Sequence, residues 1–146
     1  MKFVTREHAK VDRIACAWLI KRFIDPHAQI LYVPRDQVMD VAARESALPF
    51  DVPNVELGHH GELCSFDAFL TKYELADPAL VRLAAIVRGA DTDNRMLTAE
   101  SPGLYAIASG FSVQWGSRFK NDHAMLDVEF PMYDALYEHC KSDAPS

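Results

Sequence analysis

Along the first 26 residues the apolar positions change period. Lys2 to Thr5 reads as a short strand, after which Val11, Ile14, Ala15, Trp18, Leu19 and Phe23 recur at the three-and-four spacing of an α-helix. Cys16, Ala17 and Ile20 remove most of the opposite polar face, so the pattern predicts a helix buried on all sides. Gln29 to Pro34 (QILYVP) reads as a second strand, giving a β-α-β opening with a parallel pair. Val38, Val41 and Ala42 place a helix within Arg35 to Glu45, Pro49 and Pro53 then break the chain, and a third short strand is expected near Val55 to Leu57.

The second half reads as helical. Ser65 is the expected cap of a helix through Tyr73, and Asp77-Pro78 an N-cap and first-turn pair for a helix carrying Leu80, Leu83, Ala84 and Val87 to Arg88, where Gly89 is expected to stop it. Ser101-Pro102 repeats the start signal before Leu104, Ile107, Ala108 and Phe111. Pro131 is expected to open a last helix with Tyr133, Leu136 and Tyr137, and the terminal KSDAPS to fray. The expected fold class is α+β: residues 1–146 as one helix-rich domain with a small sheet, without internal repeats.

Composition narrows the function classes. A chain of 146 residues that is 49% hydrophobic and 25% charged suits one globular domain with a sizeable core. The formal net charge of −6 and the lack of a Lys/Arg run argue against direct nucleic-acid binding, while leaving room for a local basic patch that holds a small anion. There is no signal-peptide core and no apolar run of membrane-spanning length, so a cytoplasmic location with no membrane partner is expected. Cys16, Cys64 and Cys140 are odd in number and widely spaced, which suits reduced thiols, with Cys16 an inert core residue.

Three groups of residues carry candidate chemistry. Arg6, His8, Lys10, Asp12 and Arg13 crowd the first turns of the buried helix. Free N–H groups, the helix dipole and the guanidinium of Arg6 or Arg13 favour a tetrahedral oxyanion there, with Asp12 orienting an arginine; the alternative is an ionic network that closes one end of the core. In the second group, ELGHHGELCSFDAFL, His59, Cys64 and Asp67 are ligand types for zinc or iron, on a spacing that matches no standard motif. A one-residue rotation of the loop exchanges His59 with His60, and the alternative makes Asp67 a first-turn helix acid. In the third, RGADTDNR, Asp91 and Asp93 either complete a metal shell begun by His59 or Asp67, or hold Arg88 and Arg95. Dinucleotide, P-loop, zincin and hydrolase signatures are absent. Trp115, Phe119 and Tyr133 are expected in the core or at the interface of a homodimer.

The segments TREHAKVDRIACAWLIKRFIDP, FDVPNVELGHHGELCSFDAFL and DPALVRLAAIVRGAD together resemble the chromate resistance protein ChrB family, specifically the domain at its C-terminal part. The resemblance covers nearly the whole chain. It implies a role in chromate resistance, with longer members acting as chromate-responsive regulators, and it points to Arg6, Asp12, Arg13, His59, Cys64, Asp67 and Asp91. Because the sequence starts almost at the TR motif, a transcription-factor role is not expected of this chain alone.

The leading expectation is a cytoplasmic binding or sensing domain. An anion site of Arg6, Arg13 and Asp12 would take a small inorganic anion, chromate or sulfate-like, beside a polar or metal pocket of His59, Asp67, Asp91 and Cys64. The metal would be a divalent transition ion: zinc, iron or manganese. The alternatives are a small hydrolytic or redox metalloenzyme and a structural dimer module.

Overall fold

The computed structural model describes residues 1–142. Strand β1 (Lys2–Arg6) leads into α1 (Val11–Leu19), whose last turn widens over Ile20–Ile24 so that the Asp25 N–H reaches back to the Ile20 carbonyl at 2.8 Å. Strand β2 (Gln29–Val33) and helix α2 (Val38–Glu45) follow, then β3 (Leu48–Pro49), α3 (Ser65–Lys72), α4 (Pro78–Asp91), α5 (Ser101–Gln114) and α6 (Asp122–Ser142). The three strands form one parallel sheet in the order β2-β1-β3, with Phe3 opposite Ile30 and Leu48. The fold is α+β and helix-rich with a small sheet.

The period-two alternation of β1 sorts the core into two parts. Phe3 points into the large cluster built from α1 and α3 to α6, whereas Val4 faces Val38, Val41, Ala42, Ala47 and Val52 of the α2 side. Helix α1 is therefore enclosed by the sheet and the helices, and all of its residues are buried except Arg13, which is partly exposed. Burying Ile14, Trp18 and Leu19 contributes on the order of 2 kcal/mol each. Trp18 also donates its indole N–H to Asp134 at 2.7 Å, so its one polar atom is satisfied in the core.

The structure moves four expected boundaries. The third strand is Leu48–Pro49, not Val55 to Leu57: the positive φ angles of Asp51 (53°) and Asn54 (64°) turn the chain, and only Leu57 returns to meet Phe50. Gly89 does not end α4, which continues to Asp91; a Cβ at Gly89 would lie 2.3 Å from Ser101 Oγ, so this glycine permits close packing of α5. Pro131 sits inside α6, whose start is set nine residues earlier, where Asn121 Oδ1 accepts from the Ala124 N–H at 3.0 Å. Ser65 is the first residue of α3 and not its cap. Cys64 takes that place in a capping box with Asp67. Of the KSDAPS tail, expected to fray, Lys141 and Ser142 continue α6 and the rest lies outside the described residues.

Candidate functional site

The acidic half of the site is assembled by elements far apart in sequence. Asp12, in the first turn of α1, is 0% exposed; its carboxylate accepts the Ser65 N–H at 2.8 Å and the Phe66 N–H at 3.1 Å, and takes the Cys16 thiol at 3.4 Å. It thus satisfies two of the otherwise unbonded N–H groups at the start of α3. Asp51, 6% exposed on the left-handed turn after β3, accepts from Ser65 Oγ at 3.1 Å and from Arg13 at 3.2 Å. Asp91 closes α4.

One imidazole nitrogen faces all three. His59 Nε2 lies 3.4 Å from Asp12, 3.1 Å from Asp51 and 3.2 Å from Asp91. Hydrogen bonds to these carboxylates hold the imidazole protonated well above the usual histidine range. Burial pushes Asp12 up to about 6, helped by the charges of Asp51 and Asp91 and opposed by His59. Burial would raise Asp51 as well, yet His59 and the Arg13 guanidinium hold it below the ordinary carboxylate range. Asp12, His59 and Asp91 bring ligand atoms within 4.8 Å of one another, a spacing that one cation can bridge. Among the described residues, His59 and Arg13 are the cations in contact with these three carboxylates, and a metal taken by His59 Nε2 would have to replace the proton it holds.

Immediately beside it lies a basic half. A cavity of about 310 Å³ is bordered by Arg6 at the end of β1, by His8, Lys10 and Arg13 at the entry to α1, and by Arg35 after β2. The parallel register that sets Arg6 opposite Val33 is what brings Arg35 alongside. Burial and the like charges of Arg13 and Arg35 lower the pKa of Arg6, which shows how crowded the cations are. The Nε atoms of Arg6 and Arg13 are buried and make no hydrogen bond among the described residues. Arg6 also lines a neighbouring cavity of about 370 Å³ with Asp51, Val52, Pro53 and His59, so the two halves open onto adjoining space.

The loop between β1 and α1 is held in place from the other end of the chain. Asp122 accepts the His8 N–H at 3.1 Å and the Ala9 N–H at 2.6 Å, and the His8 ring stacks on Trp115 at 4.7 Å. Those two backbone donors are therefore occupied by a carboxylate.

The expected site residues separate into two sets. Arg6 and Arg13 border the basic cavity, and Asp12, His59 and Asp91 converge in the acidic one. Asp12 does not orient an arginine: that part is played by Asp51, which pairs with Arg13. His59 turns inward, while His60 bonds the Glu56 carbonyl at 2.7 Å. Asp67 and Cys64 stand outside the group. Asp67 accepts from the Cys64 N–H at 3.0 Å and from Arg88 at 2.8 Å, and burial, with the charges of Asp12 and Asp67, pushes the Cys64 thiol far up, where little thiolate forms. Asp93 is exposed, and Arg95 lies over the Tyr105 ring at 3.7 Å. Asp51 and Arg35 were missed. Nothing local marks the left-handed turn at Asp51, and Arg35 carries no signal beyond its charge.

Comparison with known proteins agrees with these segments. The chain is 37% identical over 143 residues to Protein ChrB of Cupriavidus metallidurans (strain ATCC 43123 / DSM 2839 / NBRC 102507 / CH34), covering 97% of this chain and 41% of that protein. It thus spans well under half the length of this relative. No solved structure matches it. The model described as ChrB, C-terminal domain, matches residues 3–140, and the chain belongs to that family.

Proposed function

We propose that this domain binds a small tetrahedral oxyanion, chromate or sulfate-like, at Arg6, Arg13 and Arg35, next to a divalent transition-metal site formed by Asp12, His59 and Asp91, and that it serves as a binding or sensing domain in chromate resistance. The observation that carries the reading is the cavity bordered by three arginines, two of them with buried Nε atoms that lack a partner among the described residues. Guanidinium forks suit oxyanions, and their mutual repulsion is relieved when a dianion enters. The acidic cluster is the complementary case, since a divalent cation offsets the charge of its carboxylates. Membership of the ChrB family supports an association with chromate resistance, which makes chromate the oxyanion to try at this site.

The test combines elemental analysis with calorimetry. Untagged protein purified without chelator should carry near-stoichiometric zinc, iron or manganese that is lost in His59→Ala and kept in Asp67→Ala. Sulfate titration should show one site per chain that Arg13→Ala weakens at least tenfold. Equal sulfate affinities for Arg13→Ala and Lys141→Ala would remove the anion reading, and metal loss in neither variant would remove the metal reading.

A small metalloenzyme is the second reading, favoured by the opening of His59 onto the 370 Å³ cavity: a metal held by Asp12, His59 and Asp91 would supply Lewis-acid chemistry beside space for a substrate. Turnover that disappears in His59→Ala while sulfate binding persists would favour it.

A further inference from the structure

The two halves of the site are wired together by two side chains. Asp51 offers Oδ2 to Arg13 at 3.2 Å and Oδ1 to His59 Nε2 at 3.1 Å, so one carboxylate is shared between the basic cavity and the acidic cluster. Arg13 is likewise shared: one of its terminal nitrogens serves Asp51, the other donates to the His8 carbonyl at 2.9 Å, and its Nε has no partner among the described residues. Arg6 borders both cavities and feels Asp51 and Asp91 as well as Arg13 and Arg35.

We infer that the site takes its oxyanion and its divalent cation as a coupled pair, with Asp51 carrying part of the linkage, so that each ligand raises the affinity for the other. This rests on the two-part reading proposed above. The sign follows from the charges. Without a cation, the carboxylates of Asp12, Asp51 and Asp91 repel an incoming dianion; a divalent cation among them cancels most of that field. Without an anion, the Arg13 guanidinium neutralises Asp51 and reduces its pull on a metal. An oxyanion that engages Arg13 through its free Nε shares that positive charge and returns negative charge on Asp51 to the cation. Both routes favour simultaneous occupation, and thermodynamic reciprocity requires the two affinities to rise by one factor. The ligand class is therefore a metal-paired oxyanion, and a free dianion or a free cation alone is the weaker ligand.

The experiment is a double titration of the full chain. Manganese(II) is titrated calorimetrically without and with saturating sodium sulfate, and sulfate is titrated without and with saturating manganese(II). Sulfate serves as the oxyanion because it is redox-inert towards the thiols. Manganese affinity should rise by about tenfold in sulfate, and sulfate affinity by the same factor in manganese. Asp51→Asn, which keeps the side-chain shape and tolerates the left-handed turn, should weaken manganese and shrink the factor, because the route through Arg13 is lost while the charges of Asp12 and Asp91 remain. Binding of both ligands to the unaltered chain with a factor of one would overturn the coupling and leave the two sites standing. Absence of sulfate or manganese binding in the unaltered chain would instead overturn the two-site reading, and the coupling with it. Because the reciprocity is measured on the unaltered chain, poor folding of Asp51→Asn would not rescue the proposal.

Discussion

Two aspartates close the same helix, and they differ in what else they hold. Asp67 belongs to α3 itself: it receives the Cys64 N–H three residues back and is neutralised by Arg88 at 2.8 Å. Asp12 comes from α1, more than fifty residues away in sequence, accepts two N–H groups of α3, and then faces an imidazole already shared with two further carboxylates. One carboxylate is used up locally, while the other carries charge into a buried cluster. A side chain of one chemical type is structural where its charge is balanced by a neighbour and a candidate ligand where it is not.

The comparison is broken most directly at His59. Replacing it by alanine leaves Asp12, Asp51 and Asp91 facing one another without the imidazolium, so metal content should fall from near-stoichiometric to background and acid tolerance of the fold should change, whereas Asp67→Ala should keep its metal. Elemental mass spectrometry on both variants reads this difference. Metal retained in His59→Ala and lost in Asp67→Ala would reverse the two roles.

Stability gives the next largest contrast. Asp12→Ala removes a buried acceptor from two backbone N–H groups and should cost about 3 kcal/mol, because those donors then stay unbonded in the core. Asp67→Ala removes half of a capping box and should cost about 1 kcal/mol. Urea unfolding at neutral pH compares them. A smaller loss for Asp12→Ala would mean that repulsion inside the cluster already outweighs its hydrogen bonds.

A third buried carboxylate sharpens the comparison further, through the pH dependence of stability. Glu129 on α6 is buried, one of its oxygens has no partner among the described residues, and burial pushes its pKa up to about 8. An acid whose folded pKa exceeds its unfolded value of about 4.3 binds more protons in the folded state between these limits. Stability contributed by its neutral form is therefore full below that lower limit and lost progressively as pH rises towards 8. Glu129→Gln should flatten this decline, seen as a denaturation midpoint that changes less between pH 5 and 8. A slope identical to that of the unaltered chain would show that Glu129 finds a charged partner on ionising.

What the sequence conveyed follows the range of the forces involved. The β1-α1-β2 opening and the buried nature of α1 were legible because periodicity is a local signal that burial later obeys. Gly89 and Pro131 misled because their ordinary meaning as breakers was overridden: Gly89 by the approach of Ser101, Pro131 by a helix already established from Asn121. In the site, the arginines of the TR motif and the pair His59 and Asp91 were nameable from ligand chemistry. Cys64 and Asp67 were drawn into the same list because a capping box and a metal motif use the same residue types at short spacing. Asp51 and Arg35 escaped notice since each owes its place to a contact across the sheet: Asp51 to the turn after β3, Arg35 to the register of β2 on β1.

The grip of Asp122 on the His8 and Ala9 N–H groups also sets an order of assembly. Every charged side chain of both halves is encoded by residue 91, yet the loop that frames the basic mouth waits for a carboxylate contributed by the last helix. A chain emerging from the ribosome therefore carries all of these charged side chains before it carries the residue that fixes their frame.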